Sequence, residues 1–257
     1  MKLCPRCSFK KIYEIRRGKL RCASCKYEWT PDRLPLYLSR REWMKILKWF
    51  LHGVSAKAIS EETGINRQRI LRALILVREA MIKDVPKVFS GTVEVDETYI
   101  GGQWKNKRKK QRKIEVKRGR GTLKTPVFGI LCRGGKVWAQ VVPNVEARTL
   151  MPLIDKRVEP GSIICSDTWK SYTGIAARGY VHRLVEHGMG EYADNHGNHI
   201  NGLEGFWGYL KRRLSAKGGI RKERLPLYLA EYVWRYNHRK NSIDQNVKNI
   251  LKLLSNS

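Results

Sequence analysis

Three carboxylates lie in the middle of a stretch that otherwise has the pattern of a β-strand. Residues 91–102 read GTVEVDETYIGG, in which β-branched and aromatic residues favour a strand and paired glycines end it. Because side chains alternate along a strand, Glu94, Asp96 and Thr98 share one face and Glu97 lies on the other. Acids set among apolar residues in a strongly basic chain favour a divalent-cation site. The alternative is an edge strand whose acids are simply solvated.

A second group of potential metal ligands lies at the start of the chain. Cys4 and Cys7 form one Cys-x-x-Cys pair, Cys22 and Cys25 form another, and fourteen residues separate the pairs. This spacing predicts two tight turns that meet around one structural Zn²⁺ ion, which would supply the folding free energy of a zinc ribbon over residues 1–35. A thioredoxin-like redox site would use a single Cys-x-x-Cys. The ribbon is rich in Lys and Arg, which favours a DNA contact; the alternative is a protein-docking or purely structural module.

Two further acids occur beside predicted elements downstream. Asp167 ends a short apolar strand, and Glu204 lies near the start of a long helix. Each residue also has a structural interpretation: Asp167 could cap the next helix, and Asn201 with Glu204 could form a capping box. A Trp such as Trp207 is more often a core residue than a DNA contact.

The charge balance of the chain points to a polyanionic partner. The sequence has 52 basic and 23 acidic residues, a formal net charge of +29 and a pI near 10.2. Nucleic acid is the usual polyanion for such a chain. The sequence has no apolar run long enough for a membrane span and no signal-peptide pattern, so we expect a soluble cytoplasmic protein without a membrane partner.

Residues 36–90 have the pattern of a helix-turn-helix followed by a linker. Apolar residues at helical spacing begin after Ser39, a short helix covers 55–63, and Gly64 precedes a longer helix that starts near Asn66. The first residues of that last helix are polar and basic, and they are predicted to contact DNA: Arg67, Gln68 and Arg69. The alternative is a three-helix unit whose basic face is only solvated.

A strongly basic segment follows the acidic strand. Residues 103–124 contain a single acidic residue, Glu115, and many Lys and Arg residues. Such a segment is predicted to be a loop that lays its charge along DNA phosphates, although a solvated hairpin extension is the alternative. The residues predicted to contact DNA are Lys105, Lys107, Arg108, Lys109 and Lys110.

The order of elements in residues 91–257 predicts an α/β fold, a ribonuclease H-like mixed sheet flanked by helices, preceded by the ribbon and the helix-turn-helix. After the acidic strand, the predicted strands are 127–133, 136–143, 162–167 and 180–185. The predicted helices are 145–158, 168–177, the helix with Glu204, and 222–238, which we expect to cover the sheet.

Three motifs in this order resemble the DDE transposases of bacterial insertion sequences that carry an N-terminal zinc ribbon. They are residues 95–102 (VDETYIGG), Ser166-Asp167 with Tyr172, and the run His199-x-Asn201-x-x-Glu204-x-x-Trp207-x-x-x-Lys211. The resemblance implies that Asp96, Asp167 and Glu204 are catalytic and hold two Mg²⁺ or Mn²⁺ ions, with Glu94 and Glu97 as substitutes if the register differs. It also implies DNA contacts by Lys211 and Arg212.

The resemblance implies an enzyme that binds the terminal inverted repeats of its element, cleaves the DNA ends and joins them to target DNA. Its partner is then double-stranded DNA, both element ends and target, and the active species is a homodimer or larger. The alternatives are a DNA-binding regulator without catalytic activity and a nuclease that cleaves without joining.

Overall fold

The computed structural model describes residues 3–16, 19–29, 34–102, 124–167, 172, 174–184 and 201–255. The chain forms two compact units. One comprises Met1–Ala80 and Ser242–Ser257, and the other comprises Met81–Asn241. The three domains predicted from sequence, 1–35, 36–90 and 91–257, stay a prediction, and the compact units group the C-terminal residues 242–257 with the N-terminal part of the chain.

The ribbon begins the first unit as a small antiparallel sheet. Its strands are β1 (Ile12–Ile15), β2 (Lys19–Cys22) and β3 (Glu28–Trp29), with β2 in the centre. Cys22 pairs with Ile12 in this sheet, and Arg21 bonds to Glu28 on the neighbouring strand. The sheet therefore fixes the second cysteine pair opposite the turn that carries the first.

Three helices follow, α1 (Arg40–Leu51), α2 (Ala56–Thr63) and α3 (Arg67–Lys83), and they confirm the predicted helix-turn-helix. Ser39 and Glu42 form a reciprocal capping box at the start of α1, and Ser55 accepts a hydrogen bond from the Ala58 N–H at the start of α2. Gly64 ends α2 in the left-handed conformation, with φ 70°.

A helix that the sequence reading missed, α7 (Ile243–Ser255), completes the first unit. It packs against α1 through an apolar stripe, and Lys48 of α1 pairs with Asp244 at 3.0 Å. Ser242 and Gln245 form a capping box at its start. The buried stripe consists of Val247, Ile250, Leu251 and Leu254. This spacing and the capping signal were present in the sequence.

The second unit contains a mixed five-stranded sheet in the order β6-β5-β4-β7-β8. Its strands are β4 (Thr92–Ile100), β5 (Thr125–Cys132), β6 (Val137–Val141), β7 (Ile163–Ser166) and β8 (Val181–Leu184). The first three pair antiparallel, whereas β7 is parallel to β4 and β8 is parallel to β7. This is the predicted ribonuclease H-like arrangement, and it places the acidic strand β4 in the centre of the sheet, not at an edge.

Helices cover both faces of this sheet. Helix α4 (Ala147–Arg157) packs into a core on one face, and α5 (Asn201–Ser215) and α6 (Leu225–Asn237) pack into a core on the other. The Asn237 side chain bonds to both the N–H and the carbonyl of Val137, each at 2.8 Å, so the end of α6 is fixed to β6. The helix expected over 222–238 is therefore α6, which covers the sheet and is attached to it at β6.

Two predicted segments lie outside the described residues. These are the basic loop over 103–123 and half of the helix predicted for 168–177, whose described residues, 172 and 174–177, lead into a short 3₁₀ turn at Ala176–Arg178. Within the described parts of the chain, no helix combines the length and apolar character needed to cross a bilayer.

Candidate active site

The centre of the site is the face of β4 that carries Glu94, Asp96 and Thr98. Helix α5 lies against this face. The Glu94 carboxylate is fully buried and accepts a hydrogen bond from the Leu203 N–H at 2.8 Å. Glu94 therefore caps the N-terminus of α5, where an acid is stabilised by the unpaired N–H groups and the helix dipole. The sequence predicts Glu94 only as a substitute metal ligand.

Asp96 contacts the same helix two residues further along the strand. Its Oδ2 accepts a hydrogen bond from the indole Nε1 of Trp207 at 2.9 Å. Trp207 is almost fully buried. The burial of Trp207 agrees with a core position. Its indole also donates a hydrogen bond directly to Asp96, the predicted catalytic acid.

Gly129 makes room for this indole. It lies directly opposite Asp96 on β5, and a Cβ atom built there would lie 2.6 Å from two ring carbons of Trp207. Any other residue at this position would displace the ring or the strand. A glycine inside a strand pattern indicates a close approach of another group, so the signal was present in the sequence although it was not used.

Asp167 lies one residue beyond the end of β7. Glu94 pairs with Cys165 in parallel register. Continuing this register by two residues along each strand places Asp167 beside Asp96. The negative charge of Asp167 is near enough to contribute to the raised pKa of Asp96. The preceding Ser166 hydroxyl donates to the Asp167 carbonyl at 2.9 Å and contacts His182 Nε2 at 2.8 Å, which fixes the end of the strand.

The electrostatics of this acidic pair favour a cation. Burial raises the pKa of Asp96 to about 7, the charges of Glu97 and Asp167 raise it as well, and the Trp207 bond lowers it. Where neighbouring negative charges raise the pKa of a carboxyl group in this way, a divalent cation bound there stabilises its anionic form. The oxygen ligands of Asp96 and Asp167 therefore fit a hard ion such as Mg²⁺ or Mn²⁺.

Glu97 lies on the opposite face of β4 and has its own partner. The phenol of Tyr172 donates to Glu97 Oε2 at 2.7 Å. Tyr172 is fully buried, and burial raises its pKa well above the ordinary value, so it acts as a hydrogen-bond donor. Tyr172 was part of a recognised motif, but its bond to Glu97 follows only from the packing of the sheet.

Glu204 is exposed in the first turn of α5, on the helix whose Trp207 contacts Asp96. Among the described residues, only the four N-terminal cysteines form a group of three or more potential metal ligands within 4.8 Å of one another. The three predicted catalytic acids therefore do not form such a group in the described structure, although strand register and charge place Asp96 and Asp167 near each other. The part of Glu204 in catalysis stays a prediction.

Lys211 lies one turn beyond Trp207 on α5 and within the electrostatic range of Asp96. Partial burial lowers the pKa of Lys211, the Asp96 charge raises it, and Lys124 lowers it. Arg212 is exposed beside it. The loop residues predicted to contact DNA, Lys105, Lys107, Arg108, Lys109 and Lys110, lie outside the described residues, as does His199.

The four cysteines of the ribbon converge as their spacing predicts. The Sγ atoms of Cys7 and Cys25 are 3.4 Å apart, those of Cys7 and Cys22 are 3.5 Å apart, and those of Cys4 and Cys25 are 3.6 Å apart. Tetrahedral zinc with Zn–S bonds of about 2.3 Å holds its sulfurs roughly 3.8 Å apart. Four thiols at these distances fit a structural zinc ion.

The predicted DNA-contacting residues of α3 divide into two kinds. Arg67 and Gln68 are exposed at the start of the helix, and the Gln68 N–H is capped by Asn66 Oδ1 at 2.8 Å. Arg69, in contrast, donates to the carbonyls of Leu36 and Tyr37, at 3.1 and 3.0 Å. Its guanidinium holds a neighbouring turn, a contact that no local sequence pattern indicates.

The sequence of this chain is similar to those of transposases and of proteins from transposable elements. The sequence model of the ISXO2-like transposase domain matches residues 88–237. An uncharacterized transposase-like protein of Haemophilus influenzae is 43% identical over 103 residues, covering 40% of this chain and 82% of that protein. A protein in the transposable element ISH50 of Halobacterium salinarum is 26% identical, covering 90% of this chain and 84% of that protein.

Solved structures of the Mos1 transposase are more distant. The paired-end complex with the left transposon end is 14% identical, with a TM-score of 0.27, and the match covers 87% of this chain and 80% of the other. The Mos1 strand transfer complex matches with 14% identity and a TM-score of 0.26, covering 84% and 79%.

Proposed function

The chain belongs to the ISXO2-like transposase family, and on that premise we propose that it binds the terminal inverted repeats of an insertion sequence and catalyses DNA strand cleavage and strand transfer. The observation that carries the proposal is the proximity of Asp96, in the middle of β4, to Asp167, which follows the neighbouring parallel strand β7, with Asp96 bonded to helix α5.

Asp96, Asp167 and Glu204 would hold the metal ions. When bound, two divalent cations, Mg²⁺ or Mn²⁺, would stabilise the negative charge that develops on the attacking and leaving oxygens of the phosphodiester. Within the protein, Trp207 fixes one carboxylate oxygen of Asp96, and the capping bond from Leu203 to Glu94 fixes the start of the helix that carries Glu204. A rigid α5 would therefore present Glu204 to the paired aspartates once DNA and ions are present.

The remaining predicted residues would bind DNA. Lys211 and Arg212 follow Glu204 on the same helix and would contact phosphates near the cleaved bond. Arg67 and Gln68 would contact the terminal repeat from the start of α3, and the basic loop over 103–124 would add phosphate contacts. The cysteine ribbon would hold a structural Zn²⁺ and take no part in the reaction. Joining two element ends requires at least two protomers.

A cleavage assay with purified protein tests this proposal. A labelled duplex carrying the end of the element is incubated with Mg²⁺ and with target DNA, and nicked and joined products are separated. Cleavage followed by joining supports a transposase. Cleavage without joined product would leave a nuclease, and binding without cleavage would leave a regulator.

The variants Asp96→Asn and Asp167→Asn should bind the duplex and lose both reactions, because amides do not replace the negative charge of the metal ligands. Glu159→Gln, which changes an exposed acid elsewhere in the same unit, is the matched control and should retain activity. Wild-type cleavage by Asp96→Asn would overturn the assignment of the site.

A further inference from the structure

The turn that precedes α1 has a costly backbone conformation. Pro35–Tyr37 forms a short 3₁₀ turn in which Leu36 has φ 60° and Tyr37 has φ 50°. Both residues thus lie in the left-handed region, which non-glycine residues avoid because Cβ approaches the following carbonyl. Two consecutive residues of this kind persist only where the surrounding structure holds them.

Three successive carbonyls of this turn are held by side chains of the helices. The indole of Trp43, a fully buried residue, donates to the Pro35 carbonyl at 3.2 Å. The guanidinium of Arg69 donates to the carbonyls of both Leu36 and Tyr37. Such charge-assisted bonds to two neighbouring carbonyls are strong and directional, so the backbone of the turn has one defined position.

The result of this constraint is an exposed aromatic side chain. Tyr37 has 80% of its surface exposed, more than any other large apolar or aromatic residue in the described ranges, while its neighbours Leu34 and Leu38 are buried. The left-handed conformations of this turn cost folding free energy, and the Tyr37 side chain that the turn exposes contributes little to the core. An arrangement of this kind indicates a contact with a partner.

The position of the turn identifies the class of partner. Arg69 is the third residue of α3 and follows the exposed Arg67 and Gln68, so the turn is fixed beside the helix end that carries basic and polar groups. Aromatic residues next to basic ones are typical of nucleic-acid surfaces, where rings stack on bases or pack against sugars. The net charge of +29 also favours a polyanion.

We propose that Tyr37 is a DNA-contacting residue of the first unit and that Arg69 is its positioning residue. This proposal rests on the proposed DNA-binding function and adds to it a non-ionic contact at the edge of the α3 surface. It also changes the role of Arg69, which acts on DNA through the turn and not through a phosphate contact of its own.

Fluorescence anisotropy with a labelled duplex from an element end, measured over a series of salt concentrations, tests the role of Tyr37. Tyr37→Ala in the full-length protein should weaken binding by about tenfold or more, the typical loss of one aromatic contact. The slope of log Kd against log salt should stay as in wild type, because no phosphate contact is lost. Melting temperatures of the wild type and the variant, measured in parallel, check that the variant is folded. Arg67→Ala, in contrast, should reduce the salt slope.

Trp49→Ala is the matched control. Trp49 is also an exposed aromatic residue, 38% exposed on α1, and lies outside the turn, so this variant should bind DNA as wild type does. Wild-type affinity of Tyr37→Ala would overturn the proposal while leaving the DNA-binding function intact. Unchanged DNA affinity with reduced self-association in sedimentation would instead indicate a protein partner. If the wild-type protein itself binds no duplex, the proposed function fails first.

A double-variant comparison tests the positioning role of Arg69. A lysine ammonium cannot reproduce the planar fork that spans two carbonyls, so Arg69→Lys should weaken binding although it keeps the charge. If Arg69 acts through Tyr37, the double variant Tyr37→Ala/Arg69→Lys should bind no more weakly than Tyr37→Ala alone. Additive losses in the double variant would contradict the positioning role.

Discussion

The variant Gly129→Ala tests the contact between the sheet and α5 most sharply. An added methyl group would lie 2.6 Å from Cη2 and Cζ2 of Trp207, whereas carbon atoms pack at about 3.5–4.0 Å. The indole must therefore move by roughly 1 Å. Because its Nε1 is bonded to Asp96 at 2.9 Å, a movement of this size breaks or weakens that bond.

The expected effect has a stability part and a catalytic part. Overpacking of a well-packed core costs about 1–3 kcal/mol, so the melting temperature should fall by several degrees. Misplacement of a catalytic group by about 1 Å can reduce the rate by up to ~100-fold. Single-turnover cleavage of the end duplex with saturating protein measures the catalytic part, and thermal unfolding measures the stability part.

A second substitution separates the two parts. In Gly129→Ala/Trp207→Phe the smaller ring leaves space for the methyl group but cannot donate a hydrogen bond to Asp96. The double variant should therefore regain stability without regaining the cleavage rate. A wild-type rate in Gly129→Ala, or recovery of the rate in the double variant, would refute the role of the Trp207–Asp96 bond.

Three further variants test other parts of the structure. Tyr172→Phe removes the donor to Glu97 and leaves its carboxylate without that bond, so urea unfolding should show a loss of about 1–3 kcal/mol, and unchanged stability would contradict the contact. Cys22→Ser should abolish stoichiometric zinc in the purified protein, measured by metal analysis, while Cys165→Ser, a buried cysteine of the other unit, should retain it. Ile250→Ala truncates the fully buried residue of α7 and should destabilise the first unit by about 2–5 kcal/mol, whereas Lys252→Ala on the exposed side should have little effect, both measured by denaturant unfolding.

The acidic strand and its partner strand were predictable from the sequence because local pattern and fold class agreed. Alternation along residues 91–102 put Asp96 on a defined face, and the expected sheet order put Asp167 beside it. The helix-turn-helix was predictable for the same reason, since Ser39, Ser55 and Gly64 gave capping and stop signals at the right spacing. In these segments, short-range physical chemistry determines the structure.

The contacts that position the site were not predictable, because they join residues far apart in the chain. The burial of Glu94 depends on α5 beginning directly over it, where a Cβ at Gly202 would lie 3.0 Å from the carboxylate. Sequence spacing cannot show that α5 begins over this residue, so the sequence predicts Glu94 only as a substitute metal ligand. Likewise, Arg69 fitted a DNA contact by its position on α3, but its bonds to Leu36 and Tyr37 depend on the tertiary packing of the turn.

The position of Mn²⁺ ions in a complex of the protein with an element-end duplex tests the central claim most directly. Anomalous scattering from crystals grown with Mn²⁺ would locate the ions relative to the carboxylates. We expect metal density bound by Asp96 and Asp167, with Glu204 brought to the same ions by α5. Ions bound without Asp96, or bound by Glu97 in place of Glu204, would contradict this account of the site.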